Sequence, residues 1–142
     1  MFTHFSKLRV RYAETDRMGY SYYGNYATYF EVARVEALRA LGITYKSLED
    51  EGVLLPVVEY HVRFSKPAFY DDEIAIKTSI TLLKSARIRF EYEVWRSDEL
   101  LTTAWTELVF VDKSSGRPMR CPTDVDRALQ PYLTNQENTL NE

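Results

Sequence analysis

The segment between Tyr12 and Arg34 of this 142-residue chain contains the residue types best suited to chemistry. Asp16 lies in a polar, glycine-containing loop, and the chain after this loop turns into a helix. A helix N-terminus presents backbone N–H groups without intrahelical partners and a partial positive charge, so it can hold an oxyanion. A carboxylate beside it could attack a carbonyl carbon or activate a water to do so. The residues alone leave two interpretations of Asp16 open: a carboxylate that acts on a carbonyl, or one that only makes local hydrogen bonds in its turn, which is the more common case for an aspartate in such a loop.

The strands that surround this segment follow from the spacing of apolar residues. Alternating apolar and polar side chains are typical of half-buried strands. They predict five strands, over residues 7–12, 58–65, 73–82, 87–94 and 100–112. The last of these has apolar residues on both faces near its end, which indicates either a central place in the sheet or a β-bulge.

Three helices are predicted. An apolar period near 3.6 from residue 26 onward predicts one long helix that runs to about residue 41, with a buried stripe of aromatic residues and alanines. Gly42 ends this helix, because a residue without Cβ takes the left-handed conformation that closes a helix. A short helix is predicted over 44–51, with Thr44 as its N-cap, and a C-terminal helix over 123–133.

This order of elements predicts an α+β fold, with one long helix packed on an antiparallel sheet of about five strands. One helix covers only one face, and the charged residues of the strands leave the other face polar enough to meet water. The edge strands remain unpaired, and such sheets commonly pair edge to edge with a second copy. We therefore expect at least a homodimer.

Composition excludes several classes of protein. The length fits one domain, expected over residues 1–133 with a frayed polar tail over 134–142. A net charge of −3 argues against nucleic-acid binding through bulk charge. No apolar run approaches the roughly 20 residues of a membrane span, and the N-terminal residues do not form a secretory signal, so we expect a cytoplasmic protein. The single cysteine, Cys121, cannot form an intrachain disulfide or a thiolate metal cluster.

The Asp16 segment also resembles a known family. The matching residues are Asp16, Met18-Gly19, Tyr22-Tyr23-Gly24-Asn25-Tyr26 and Tyr29-Phe30-Glu31-Val32-Ala33-Arg34. In this order and spacing they resemble the signature of hot-dog-fold acyl-CoA thioesterases, in particular the 4-hydroxybenzoyl-CoA thioesterase type with its Tol-Pal-associated members. The resemblance covers most of residues 7–112.

The resemblance implies a central helix wrapped by an antiparallel sheet, a dimer or dimer of dimers, and a thioester bound at a subunit interface. It implies that Asp16 is the essential carboxylate and that the backbone N–H of Tyr23 or Gly24 is the oxyanion donor. The residues alone allow either Ser21 or Asn25 to cap the long helix, and the resemblance favours Ser21, with the helix beginning near residue 22. It implies no metal and no cofactor other than coenzyme A as part of the substrate.

Six further residues are candidates for binding the substrate. Tyr22, Tyr60 and His61 are candidates for the acyl side, although a histidine on the polar face of a strand is more often solvated or hydrogen-bonded than part of a site. The resemblance places coenzyme A contacts at Lys84, Ser85 and Arg87, and a guanidinium suits phosphate. For Glu31 and Arg34, an i, i+3 ion pair on the helix competes with a role in the site.

The function expected from these residues is hydrolysis of an acyl- or aroyl-CoA thioester to the free acid and coenzyme A. One alternative on the same scaffold is an acyl dehydratase, which requires a histidine in the tunnel, and His61 is the candidate. Another is a protein that binds acyl thioesters without cleaving them or acts on an acyl carrier protein, since the fold alone does not decide activity.

Overall fold

The computed structural model describes the backbone of residues 1–140 and the side chains of residues 1–133. The strands are β1 (Phe2–Arg9), β2 (Val53–Leu54), β3 (Val57–Phe64), β4 (Glu73–Lys84), β5 (Arg87–Arg96), β6 (Glu99–Val109) and β7 (Val111–Asp112). The helices are α1 (Asn25–Ala40), α2 (Tyr45–Asp50) and α3 (Thr123–Leu140), and a 3-10 turn covers Tyr12–Glu14.

Five strands form one antiparallel sheet in the order β1-β4-β5-β6-β3, and β2 pairs with β7 in a small separate sheet. The α+β fold with one long helix on a five-stranded antiparallel sheet is therefore confirmed. This order puts β1 and β3 at the two edges. All but one of the residues of β3 are exposed, so this edge is bare along its length.

The core lies between α1 and the sheet. The predicted stripe is buried, with Phe30 and Ala33 fully inaccessible and Tyr26 and Tyr29 nearly so. The ring of Phe30 stacks on Tyr92 of β5 with 4.5 Å between centroids. The small side chain of Ala33, on the same face, lets the helix backbone approach the sheet.

The predicted ends of the helices are confirmed at two places. Gly42, just after α1, has a φ of +84°, which favours glycine over residues with a Cβ. The hydroxyl of Thr44 accepts a hydrogen bond from the backbone N–H of Ser47 at 3.1 Å, as expected for the N-cap of α2.

The start of α1 differs from the prediction. The helix begins at Asn25, because residues 22–24 form a turn in which the N–H of Asn25 donates to the carbonyl of Tyr22 at 2.9 Å. Ser21 is not its cap. The Ser21 hydroxyl is instead 2.8 Å from the hydroxyl of Tyr29, in the buried layer under the helix.

Three other boundaries also differ. Strand β1 begins at Phe2, because it pairs with β4 along its whole length, and it ends at Arg9 before the 3-10 turn. The predicted strand over 100–112 divides into β6 and β7, because the chain leaves the main sheet after Val109. Of the two alternatives for that strand, β6 has the interior position, between β5 and β3. Helix α3 continues to Leu140 rather than ending at residue 133, since neither glycine nor proline interrupts 134–140.

The predicted Glu31–Arg34 ion pair is absent among the described residues. Arg34 is buried, with 8% of its surface exposed, and its Nε donates to the hydroxyl of Tyr45 at 3.2 Å. The arginine points into the layer between helix and sheet, whereas Glu31 is exposed on α1. Arg34 is therefore a structural side chain of the core.

Candidate active site

The carboxylate of Asp16 is held by its own loop. Its Oδ1 accepts hydrogen bonds from the backbone N–H groups of Met18 at 2.9 Å and Tyr20 at 3.1 Å. The local hydrogen bonding predicted for a turn aspartate is thus present. It uses only one carboxylate oxygen, and Oδ2 accepts no hydrogen bond from any described residue. That oxygen is available to a substrate or a water.

The Asp16 loop is closed on itself by backbone hydrogen bonds. The N–H of Asp16 donates to the carbonyl of Tyr20 at 2.8 Å, and Thr15 forms an isolated bridge with Ser21. Gly19 has a φ of +82°, a conformation that residues with a Cβ rarely adopt. The loop is therefore a defined turn that fixes the direction of the carboxylate.

The backbone N–H groups of Tyr23 and Gly24 donate to no acceptor in the described part of the chain, whereas those of Tyr22 and Asn25 are both bonded. Tyr23 and Gly24 directly precede α1, where the helix dipole adds partial positive charge. A Cβ at position 24 would lie 2.6 Å from Cε1 of Tyr22, so only glycine lets this ring fold against the turn. These two N–H groups are suited to hold a developing oxyanion.

Asp16 and Tyr23 line the same pocket of about 240 Å³. Its other walls include Ser21 and Tyr26 from the helix side and Phe64 and Lys66 from the end of β3. The Tyr26 hydroxyl is buried, and this burial raises its pKa, so it stays protonated. The structure therefore brings together the predicted acid and the predicted oxyanion donor beside a largely apolar cavity.

The wall formed by residues 65–67 is held by Arg96, at the end of β5. Its guanidinium donates to the Pro67 carbonyl at 3.2 Å and to the Asp72 carboxylate at 2.7 Å, and it also pairs with Glu99. The Asp72 carboxylate in turn accepts the N–H of Phe69 at 2.8 Å. Sequence reasoning missed Arg96, because nothing in the alternation of β5 distinguishes it from the other arginines of the sheet.

Behind the pocket lies a buried chain of hydrogen bonds that sequence reasoning also missed. The hydroxyl of Tyr29 is 2.8 Å from that of Ser21 and donates to the carboxylate of Glu14 at 3.1 Å. Burial raises the pKa of Tyr29 to about 12. Burial also opposes ionisation of Glu14, but hydrogen bonds from Arg11 and Tyr29 outweigh it and lower the pKa of this carboxyl. This chain fixes Ser21, at the pocket wall, to the loop before Asp16.

The candidate substrate residues on the acyl side separate into two groups. The exposed ring of Tyr22 packs on Tyr23 with 4.6 Å between centroids, beside the pocket. Tyr60 lies on the helix side of β3, 6.2 Å from the ring of Phe30, and is half exposed at the bare edge. His61, the next residue, points to the opposite face of the sheet.

On that face the imidazole of His61 stacks on Trp105 with 5.9 Å between centroids and lines a separate cavity of about 440 Å³. Successive side chains of a strand alternate between faces, so His61 cannot share the cavity that Phe64 lines. Within one chain the structure does not bring His61 to Asp16, and the residues that line the Asp16 pocket there include no histidine of the kind that a dehydratase would need.

The candidate coenzyme A contacts also lie away from Asp16 within one chain. Lys84, Ser85 and Arg87 form the hairpin between β4 and β5, whereas the Asp16 loop follows the end of β1 that pairs with Glu73. Strand β4 has 12 residues, which corresponds to about 36 Å from one end to the other. Arg87 pairs with Glu107 at 3.5 Å and remains largely exposed. These residues could complete a site only together with the Asp16 pocket of another subunit.

Within the described part of the chain, no three His, Cys, Asp or Glu side chains are grouped so as to hold a metal ion. No described helix has the length and apolar character needed to cross a membrane.

Comparison with known proteins places this chain in a family. A protein of Bacillus subtilis named YneP is 35% identical over 120 residues, covering 82% of this chain and 87% of that protein. The acyl-CoA thioesterase YbgC of Haemophilus influenzae is 33% identical over 123 residues, covering 86% of this chain and 90% of its own. The crystal structure of a DHNA-CoA thioesterase from Staphylococcus aureus superposes with a TM-score of 0.82 at 33% identity, covering 99% of this chain and 90% of that one.

The family model described as the Thioesterase-like superfamily matches residues 10–129. That range includes the Asp16 loop, α1 and every strand except β1. The resemblance to hot-dog thioesterases is thus confirmed, and the chain belongs to the Thioesterase-like superfamily.

Proposed function

We propose that this protein hydrolyses an acyl- or aroyl-CoA thioester to the free acid and coenzyme A. The observation that carries the proposal is that one pocket is lined by Asp16, which has a free carboxylate oxygen, and by Tyr23, whose backbone N–H has no acceptor in the described part of the chain. Membership of the thioesterase superfamily and similarity to an acyl-CoA thioesterase support it.

The chemistry needs only these groups. The thioester carbonyl oxygen would accept hydrogen bonds from Tyr23 and Gly24, and each such donor typically lowers the barrier by about 3 to 4 kcal/mol. Ionised Asp16 either attacks the carbonyl carbon, which gives an anhydride that water then cleaves, or removes a proton from the attacking water. In both routes the C–S bond breaks, and the electron pair leaves with sulfur as the coenzyme A thiolate.

We further propose that the active protein is a dimer, or a dimer of dimers, joined through β3. Two antiparallel copies of β3 would put the Val57 end of one strand beside the Phe64 end of the other. Arg87 lies two strands from this edge, at the Val57 end of the sheet. Arg87 of the partner subunit would then lie about 10 Å from the shared edge, at the end where Phe64 borders the Asp16 pocket.

Such a dimer brings the candidate residues of two subunits to the same end of the joined sheet, with Arg87 on the face that His61 also occupies. Coenzyme A is long enough to reach from the pocket of one subunit to the β4–β5 hairpin of the other, where Lys84, Ser85 and Arg87 could contact its phosphates. The exposed apolar residues along β3, which include Val58 and Tyr60, would become buried.

Release of free thiol from a panel of acyl-CoA thioesters tests the proposal. The panel should contain aliphatic chains of several lengths, aromatic acyl groups and one acyl group presented on an acyl carrier protein. We expect thiol release from at least one coenzyme A ester. Binding of acyl-CoA without any thiol release would favour the non-catalytic alternative. Cleavage of the carrier-protein ester alone would show that the substrate is an acyl carrier protein ester and not a coenzyme A ester.

A further inference from the structure

One carbonyl oxygen holds both sides of the turn that carries the free N–H groups. The Glu14 carbonyl accepts the backbone N–H of Tyr22 at 2.7 Å and the side-chain amide of Asn25 at 2.6 Å. Tyr23 and Gly24 lie between these two anchors. We propose that Asn25 is a positioning residue that fixes the oxyanion donors relative to Asp16, an inference that rests on the proposed function.

The shared acceptor belongs to the segment that leads into the acid. Glu14 is two residues before Asp16, and the next residue, Thr15, bridges to Ser21 to close the Asp16 loop. The loop and the donor turn are therefore both held to one short stretch of backbone. Catalytic groups must be held to within about 0.5 Å of their productive positions, so a single fixed acceptor for both is a direct way to achieve this.

Glu14, whose carbonyl is the shared acceptor, is also held through its side chain. The Glu14 carboxylate accepts the backbone N–H of Arg11 at 2.8 Å and the hydroxyl of Tyr29 at 3.1 Å. Tyr29 is one turn beyond Asn25 on α1, and 3% of its surface is exposed. Glu14 is thus fixed to α1 through two side chains, Asn25 and Tyr29.

The Asn25 side chain does not stabilise the helix in the usual way. A capping side chain accepts a hydrogen bond from an N–H of the first turn, and α1 has no such side-chain cap. The Asn25 amide instead donates away from the helix, to the loop that carries the acid. Loss of this donor should therefore disturb the position of the turn more than the stability of the helix.

Asn25→Asp tests the inference, because aspartate has the same shape but cannot donate when ionised. We expect kcat for thiol release to fall about 10- to 100-fold with KM within about twofold, since displacement of catalytic groups by about 1 Å can cost this much. The melting temperature should stay close to that of the wild type, because a carboxylate at a helix N-terminus is favourable. Thr28→Asp is the matched control, since it adds the same charge to the same turn at an exposed side chain and should keep kcat.

The outcomes separate the inference from the proposed function. If the wild type releases thiol and Asn25→Asp has the same kcat, with or without a rise in KM, the inference is wrong and the proposed function stands. An equal loss of kcat in Thr28→Asp would show that the added charge causes the loss, and this result would also overturn the inference. If Asn25→Asp does not fold, Asn25→Ala must show the same loss of kcat, and unfolding of both variants would make Asn25 a stability residue. A wild type inactive on every thioester would instead refute the proposed function.

Discussion

Arg96 and Asp72 form an ion pair of 2.7 Å that ties the end of β5 to the loop between β3 and β4. The same guanidinium donates to the Pro67 carbonyl, and Pro67 lines the pocket that contains Asp16. Both side chains of the pair are more than two-thirds buried. This arginine therefore connects the stable centre of the sheet to one wall of the candidate site.

We predict that Arg96→Ala lowers the free energy of unfolding by about 2 kcal/mol, because it leaves a partly buried carboxylate and a carbonyl without their donor. Urea unfolding followed by circular dichroism measures this. Arg39→Ala is the control, since Arg39 forms an exposed i, i+3 pair with Glu36 and its loss should cost at most about 0.5 kcal/mol. Equal effects in the two variants would show that the Arg96 contacts do not stabilise the loop.

The bare edge of β3 leads to a prediction about assembly. Tyr60→Lys puts a charge at the edge that we expect to pair with a second copy, so it should shift the protein toward the monomer and lower thiol release. Sedimentation velocity measures the shift. Phe5→Lys, a matched change of an exposed aromatic residue on the opposite edge strand β1, should leave species no smaller than a dimer. A dimer unaffected by Tyr60→Lys would place the interface elsewhere.

Arg87 leads to a prediction about coenzyme A. Its side chain is 60% exposed and faces Glu107, so its removal should leave the fold intact. Arg87→Ala should raise KM for acyl-CoA more than for the same acyl group on a thiol that lacks the nucleotide, because only the former offers phosphates to a guanidinium. Steady-state kinetics with both substrates measures the difference. An equal rise in both KM values would remove Arg87 from the coenzyme A site.

Much of the fold could be predicted because local patterns and the final structure agree. The alternation of residues in β4 and β5, the stripe of α1 and the cap at Thr44 all appear where the sequence indicates them. Asp16 and Tyr23 could be placed together because only a short loop separates them, and the family signature marks both.

The remaining features depend on contacts between residues far apart in sequence. The length of β1 is set by its pairing with β4, and Arg96 becomes important only where the loop at Pro67 folds back on it. Burial of Arg34 could not be predicted either, since an arginine next to a helical stripe is usually exposed. The distance between Arg87 and Asp16 depends on the order of the strands in the sheet. The spacing of apolar residues along the sequence does not determine this order.

The central claim is that Asp16 cleaves the thioester, and thiol release by Asp16→Asn tests it most directly. Asparagine keeps the shape of the side chain and can still accept the hydrogen bonds from Met18 and Tyr20, so the variant should fold and assemble like the wild type. We predict a fall in kcat of about 100-fold or more at saturating acyl-CoA, as is typical for loss of an essential base or nucleophile. A folded Asp16→Asn protein with the kcat of the wild type would contradict the account.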